Sequence, residues 1–166
     1  RELPNAQWAL AASVLDRLEV IYHRCAPLDA LERTAWLFSP PIHLHRPSSD
    51  GWEAQMRDIE AAQREAAQAL LSAGGTRAIL ALARQINVAG YLGKALYDSG
   101  LAEADLDALL ETTLRSDNAG ELDLAHGLIT SIFNDRKASW ALGLIAQVRS
   151  QAWGDTALLI LFHALP

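Results

Sequence analysis

The chain has 166 residues, 51% of them hydrophobic and 20% charged, with a net charge of -6. That supplies a core and excludes disorder, which needs low hydrophobicity with high net charge. The acidic balance excludes the basic footprint of a nucleic-acid binder, and a single cysteine, Cys25, excludes an internal disulfide.

In chain order, the first pattern is an apolar stripe at helical period: Ala11, Val14, Leu15, Leu18, Ile21 and Tyr22. Residues 1–48 are expected to form an N-terminal helical hairpin (about 5 to 38), closed by a proline-rich linker. That linker, 39–48, holds Pro40, Pro41 and Pro47, which make it extended and stiff. Residues 49–166 are expected to hold one long helix and three helix pairs, a single structural unit. From Ser48 to Leu165 there is no proline, so helix is permitted throughout.

Met56, Ile59, Ala62, Ala66, Ala69 and Leu70 mark the long helix, opened by a Ser49 or Asp50 cap. Glu53/Arg57 and Glu60/Arg64 stand four apart in the favourable order, which predicts a solvated outer face. Gly74-Gly75, Asn87, Gly100, Asn118 to Gly120, Asn134 and Gly154 then punctuate the chain as helix ends. The pairs are 76–86 with 88–98, 102–115 with 119–133, and 136–149 with 155–165. Ala125, Leu128, Ile129, Ile132 and Phe133 follow the helical template. No segment alternates with period two, so the fold class is all-α.

A shift of 62 residues lays the first pair on the third. Leu80, Leu82, Gln85, Ile86, Tyr91, Ala95 and Leu96 meet Leu142, Leu144, Gln147, Val148, Trp153, Ala157 and Leu158. A unit of about 31 residues is in the range of helical solenoids, so antiparallel short helices are expected to stack as a solenoid-like array. The alternative is an irregular helical bundle.

Thr34 to Phe38, with the linker, the charged helix and Gly75 to Ala83 after it, resembles segments of long bacterial helical-repeat proteins. So does Trp153 to Pro166, a tryptophan, a helix cap and an apolar helix. The paired helices resemble those of HEAT or armadillo-type solenoids. The resemblance covers about two thirds of the chain, carries no catalytic motif, and implies a modular helical region of a large protein. With Arg1 opening the chain and an apolar helix at its end, we read it as a piece of a longer protein.

Chemistry-bearing clusters are sparse, and no metal, cofactor or catalytic set is expected. His43 and His45 lack the further ligands a tetrahedral site needs. Glu19/His23 and Asp123/His126 are not Glu-x-x-His pairs of a di-iron bundle. His23-Arg24-Cys25 lacks an orienting partner for a thiolate. Gly74-Gly75-Thr76 lacks a phosphate-loop lysine and reads as a helix turn with Thr76 as cap.

The acidic stretch holds Asp98, Glu103, Asp105, Asp107, Glu111, Asp117, Glu121 and Asp123 against Lys94 and Arg115. It suggests a negative ridge that steers a basic partner. Among five tryptophans (Trp8, Trp36, Trp52, Trp140, Trp153), Trp52 is the candidate interface anchor. The expected function is a non-catalytic interaction or scaffold module that binds a protein partner or the rest of its own chain. The alternatives are an acidic immunity- or antitoxin-type protein and an unrecognised helical enzyme domain, which a pocket lined by His126, Glu121 or Asp123 would favour. The longest apolar run, Ala157 to Phe162, falls short of the roughly 20 residues of a spanning helix. With no leader visible, a cytoplasmic location is expected.

Overall fold

Glycine and asparagine punctuate apolar runs of helical period, and several helix ends and one helix break fall where they stand. The computed structural model describes residues 11–25, 30–40, 42 and 51–165, without the side chains of Ala12, His23 and Ala30. Every regular element among the described residues is helical. They are α1 (Ala12–Cys25), α2 (Ala30–Ala35), a 3₁₀ turn (Trp36–Phe38), α3 (Trp52–Ala83), α4 (Gly90–Asp98), α5 (Glu103–Leu114), α6 (Ala119–Ser150) and α7 (Asp155–Ala164).

Two of these are broken helices. Gly75 interrupts α3 at φ 60, ψ -158, and Lys137 interrupts α6 at φ 62, ψ -159. The expected end at Gly74-Gly75 thus falls on a real break, and that at Asn134 lies three residues before one. Gly75 itself holds the non-helical conformation, so Thr76 is already helical and is not the cap. Gly51, at φ 95, precedes α3 in place of the expected Ser49 or Asp50, which lie outside the described residues.

Lys137 occupies a backbone region that glycine enters freely and other residues enter at a cost of about 1–3 kcal/mol. Its ammonium folds back onto the Asn134 carbonyl. Lys137→Gly is therefore expected to raise stability by about 1 kcal/mol. An unchanged or lower midpoint in denaturant would show that the Asn134 bond outweighs the strain.

α6 is the organising element. α4 packs mainly on it and secondarily on α3; α7 and α5 pack on it from elsewhere; α2 and the 3₁₀ turn pack on α3. One continuous core results, from Leu37 and Phe38 through Leu70, Ile79, Leu92, Leu114 and Leu128 to Leu161. The buried Gln63 side chain donates to the Leu37 carbonyl at 2.8 Å and fixes the 3₁₀ turn on α3. One 18-residue window in Trp52–Ala83 reaches a mean hydropathy of 1.2. The break at Gly75 divides that helix, and Ile59, Ala67, Leu70, Ile79 and Leu82 are buried in the protein's own core.

The α4–α6 crossing is made of glycine. A Cβ on Gly127 would stand 2.0 Å from the Gly90 carbonyl oxygen, and one on Gly93 would stand 2.5 Å from that of Leu124. Gly120 abuts the Ala83 carbonyl oxygen in the same way, at 2.0 Å. Backbone therefore touches backbone along the first half of α6.

The α1 stripe of Val14, Leu15, Leu18, Ile21 and Tyr22 is 40–54% exposed. One expectation is corrected here, the solvated outer face of α3. Glu60 turns to Lys94 of α4 at 3.2 Å, so the outer face of α3 partly serves a neighbouring helix.

Candidate functional site

The acids between Asp98 and Asp123 scatter once folded. Asp98 receives Lys94 at 2.6 Å, and Glu111 receives Arg115 at 2.9 Å, each four residues apart on its own helix. Asp123 Oδ2 accepts the backbone N–H of Gly90 at 2.9 Å and so caps α4 from another helix. Glu121, expected on the ridge, is only 3% exposed, with Arg84 Nε donating to its Oε1 at 2.6 Å. It is removed from any partner surface by that ion pair. Asp105, Asp107 and Asp117 remain exposed with no ion pair among the described residues. Glu103 and Asp105 stand in the first turn of α5, where they favour the helix dipole.

Asn118 explains why Glu121 is free to turn away. Its side chain accepts from the N–H groups of Gly120 (3.0 Å) and Glu121 (3.2 Å), while its own N–H donates to Ser116 Oγ. The reciprocal bond a glutamate makes in a capping box is thereby already supplied by serine.

What the fold gathers is a different set. A cavity of about 370 Å³ opens between α5 and the second half of α6, lined by Glu103, Asp107, Arg136, Trp140, Gly143 and Trp153 among others. Glu103, Asp107 and Leu110 lie on one face of α5 at spacings of four and three; Trp140, Gly143 and Gln147, at three and four, do the same on α6 after its break, and Arg136 reaches the cleft from just before it. Comparison with family models, curated proteins and solved structures finds no match to this chain.

Trp153 reaches this cleft because α6 ends in a Schellman turn. Ala152 takes φ 51, and the Trp153 N–H closes back on the Val148 carbonyl at 3.1 Å. The indole is then buried beside Val148 in the core cluster, its N–H donating to Gln151 Oε1 at 3.0 Å. At the other end Arg136 donates to Glu103 at 2.6 Å, a bond that holds the guanidinium's pKa up.

Beside it, the Tyr97 hydroxyl donates to Asp135 Oδ2 at 2.7 Å. That hydrogen bond, aided by burial, raises the phenol above 10.0 despite Arg136 nearby. Burial pulls the Lys94 ammonium down, but hydrogen bonds to Asp98 and Glu60 outweigh it and leave it raised above 10.5. Both groups favour their protonated forms in the fold. Their contribution is complete below about pH 10 and is lost as pH rises through the raised values. Thermal midpoints should therefore fall as pH rises above about 10, less steeply in Tyr97→Phe. Parallel curves for the two proteins would show that the Tyr97–Asp135 bond carries none of this.

Of the expected contact residues, Trp52 stands at the first turn of α3, 71% exposed. It lines neither this cleft nor the second cavity. That cavity, of about 280 Å³, is lined by His126, Thr130, Phe133, Asn134, His163, Ala164 and Leu165. Of His126, Glu121 and Asp123, this cavity is lined by His126 and by neither acid. No group of three metal-ligating side chains exists among the described residues, and His43 and His45 lie outside them. Cys25 is exposed at the end of α1. The sequence reading missed Arg136, Trp140 and Gly143. The available signal was the 62-residue shift, which sets Trp140 where Ala78 stands and Gly143 where Ala81 stands.

Proposed function

We propose that this chain is a non-catalytic helical-repeat interaction module, working against a protein partner or further parts of its own polypeptide. The observation that carries the reading is recurrence. Gly75 and Lys137, 62 residues apart in sequence, break their helices with the same backbone angles to within two degrees. After each break the same register is buried: Ile79 and Ala141, Leu82 and Leu144, Ile86 and Val148, Ala95 and Ala157. Two stretches of one chain share both a break and a burial pattern, as units of a repeat array do.

The units differ in what covers them. Leu80 and Tyr97 of the first unit pack against the core. Their counterparts Leu142 and Leu159 are 67% and 57% exposed, and Phe162, one turn beyond Leu159 on α7, is 62% exposed. Large apolar side chains left exposed are candidates for an association surface, and a further helical unit has the period to cover them.

Light scattering with small-angle X-ray scattering tests this. The chain should be elongated, or should self-associate with rising concentration; association should disappear in Leu142→Ser/Leu159→Lys/Phe162→Glu. A compact monomer with a radius of gyration near about 15 Å at every concentration would remove the array reading. Association unchanged by the triple substitution would remove this face from it.

A further inference from the structure

We infer that the cleft between α5 and the second half of α6 binds a cation on an aliphatic stem, the side chain of arginine or lysine. This deepens the interaction-module reading by naming the chemistry its partner presents, but it rests on a different surface from Leu142, Leu159 and Phe162.

Three features of the cleft point to a cation. The first is charge: its lining carries the carboxylates of Glu103 and Asp107 and the guanidinium of Arg136. Arg136 is held by Glu103 at 2.6 Å, so the pair is balanced, and Asp107, one turn further along α5, is left with no cation among the described residues. The cleft therefore has a net charge of one negative unit, on a protein whose own charge is -6.

The second is the aromatic wall. Trp140 and Trp153 both line the cavity. The Trp153 N–H is committed to Gln151, and what the 8%-exposed indole adds to the lining is therefore apolar. Indole is the ring a cation prefers, and aliphatic stems pack well against it. The Trp140 N–H takes no partner among the described residues and is available to a backbone carbonyl of the incoming segment.

The third is room. Nothing lies within 4 Å of the position a Cβ would take on Gly143, and the cavity volume of about 370 Å³ exceeds what one side chain fills. An anion would meet Asp107 with no free cation to offset it. A neutral apolar group would leave Asp107 desolvated and unpaired. An arginine or lysine answers both, with its head at Asp107 and its stem against the indoles.

The test follows the indole N–H resonance of Trp140, assigned with Trp140→Phe, while the chain is titrated with Nα-acetylarginine amide. A parallel series uses the citrulline analogue, which keeps the shape and removes the charge. Saturable shifts with arginine and none with citrulline are expected. Asp107→Asn should weaken binding about tenfold. Gly143→Phe, whose Cβ meets no atom within 4 Å and whose ring enters the cleft, should abolish it while the melting temperature holds. A blocked acetyl-Ala-Arg-Ala-amide peptide separates the sources. Equal affinity with the single residue means recognition of a side chain alone; tighter binding means that a peptide segment is read as well.

Equal binding of arginine and citrulline, binding unaffected by Gly143→Phe, or no binding of any probe overturns the proposal. None of these outcomes touches the array reading, since Gly143→Phe leaves the Leu142, Leu159 and Phe162 face intact. Loss of association without loss of arginine binding is the converse failure.

Discussion

Gly127→Ala is expected to be the most damaging single methyl group that can be added to this protein. The new Cβ would lie 2.0 Å from the Gly90 carbonyl oxygen and 2.6 Å from its Cα, both backbone atoms that no rotamer change can move. Helices α4 and α6 must separate, and α4 has most of its packing there. Overpacking costs typically about 1–3 kcal/mol, and a backbone-to-backbone clash belongs at or above the top of that range. Better helix propensity returns at most about 1 kcal/mol. The net loss of about 2–3 kcal/mol should lower the thermal midpoint by roughly 5–10 °C, at 2–4 °C per kcal/mol for a domain of this size. Gly143→Ala is the control: the same chemical change on the same helix, with open space around it, should raise the midpoint by about 2–4 °C. Equal melting of Gly127→Ala and wild type would mean that the helices do not approach this closely.

Arg84→Met comes second. The arginine is 57% exposed, but its partner Glu121 is 4% exposed along its side chain, so the loss is not that of a surface ion pair. It strands a carboxylate inside the junction of α3 and α6. Removing one partner of a buried pair costs about 3–5 kcal/mol, and the solvent around Arg84 reduces the figure here to about 2–3 kcal/mol. Replacing both partners is often close to neutral, so Arg84→Met/Glu121→Leu should return to within about 1 kcal/mol of wild type. Chemical denaturation of the three proteins yields the coupling directly. A double variant as unstable as Arg84→Met alone would show that Glu121 does something beyond satisfying Arg84.

These two sites also show where the sequence was readable. Helix existence and limits followed from local chemistry: Asn118 caps α6, Gly100 and Gly154 sit at positive φ beside helix ends, and Gly75 breaks α3. The 62-residue shift, read from the helix pairs that follow, also sets Gly75 opposite Lys137, the two residues with shared backbone angles. What local chemistry does not encode is which side chain meets which across a crossing. Glu121 and Asp123 look like ridge acids in a string, yet the glycine contacts bring α6 so close to α3 and α4 that one reaches Arg84 and the other the Gly90 N–H. The cleft was illegible for the same reason. Glu103 and Trp153 are 50 positions apart in sequence, and a backbone turn at Ala152 sets one indole opposite the acids of α5. The α1 stripe carried the correct period, but periodicity names a face without naming what covers it.

The cap on α4 has a consequence for how this protein comes apart. A helix that supplies its own N-terminal acceptor can open and close by itself. α4 instead borrows a carboxylate 33 residues downstream in sequence, and the same segment of α6 supplies the backbone against which α4 lies. Neither can loosen without exposing the other's polar groups. Amide protons of α4 and of the first half of α6 should then exchange with solvent at one common opening free energy rather than as separate repeats. Severing the chain between Ser99 and Asn118 would leave both fragments without a stable edge.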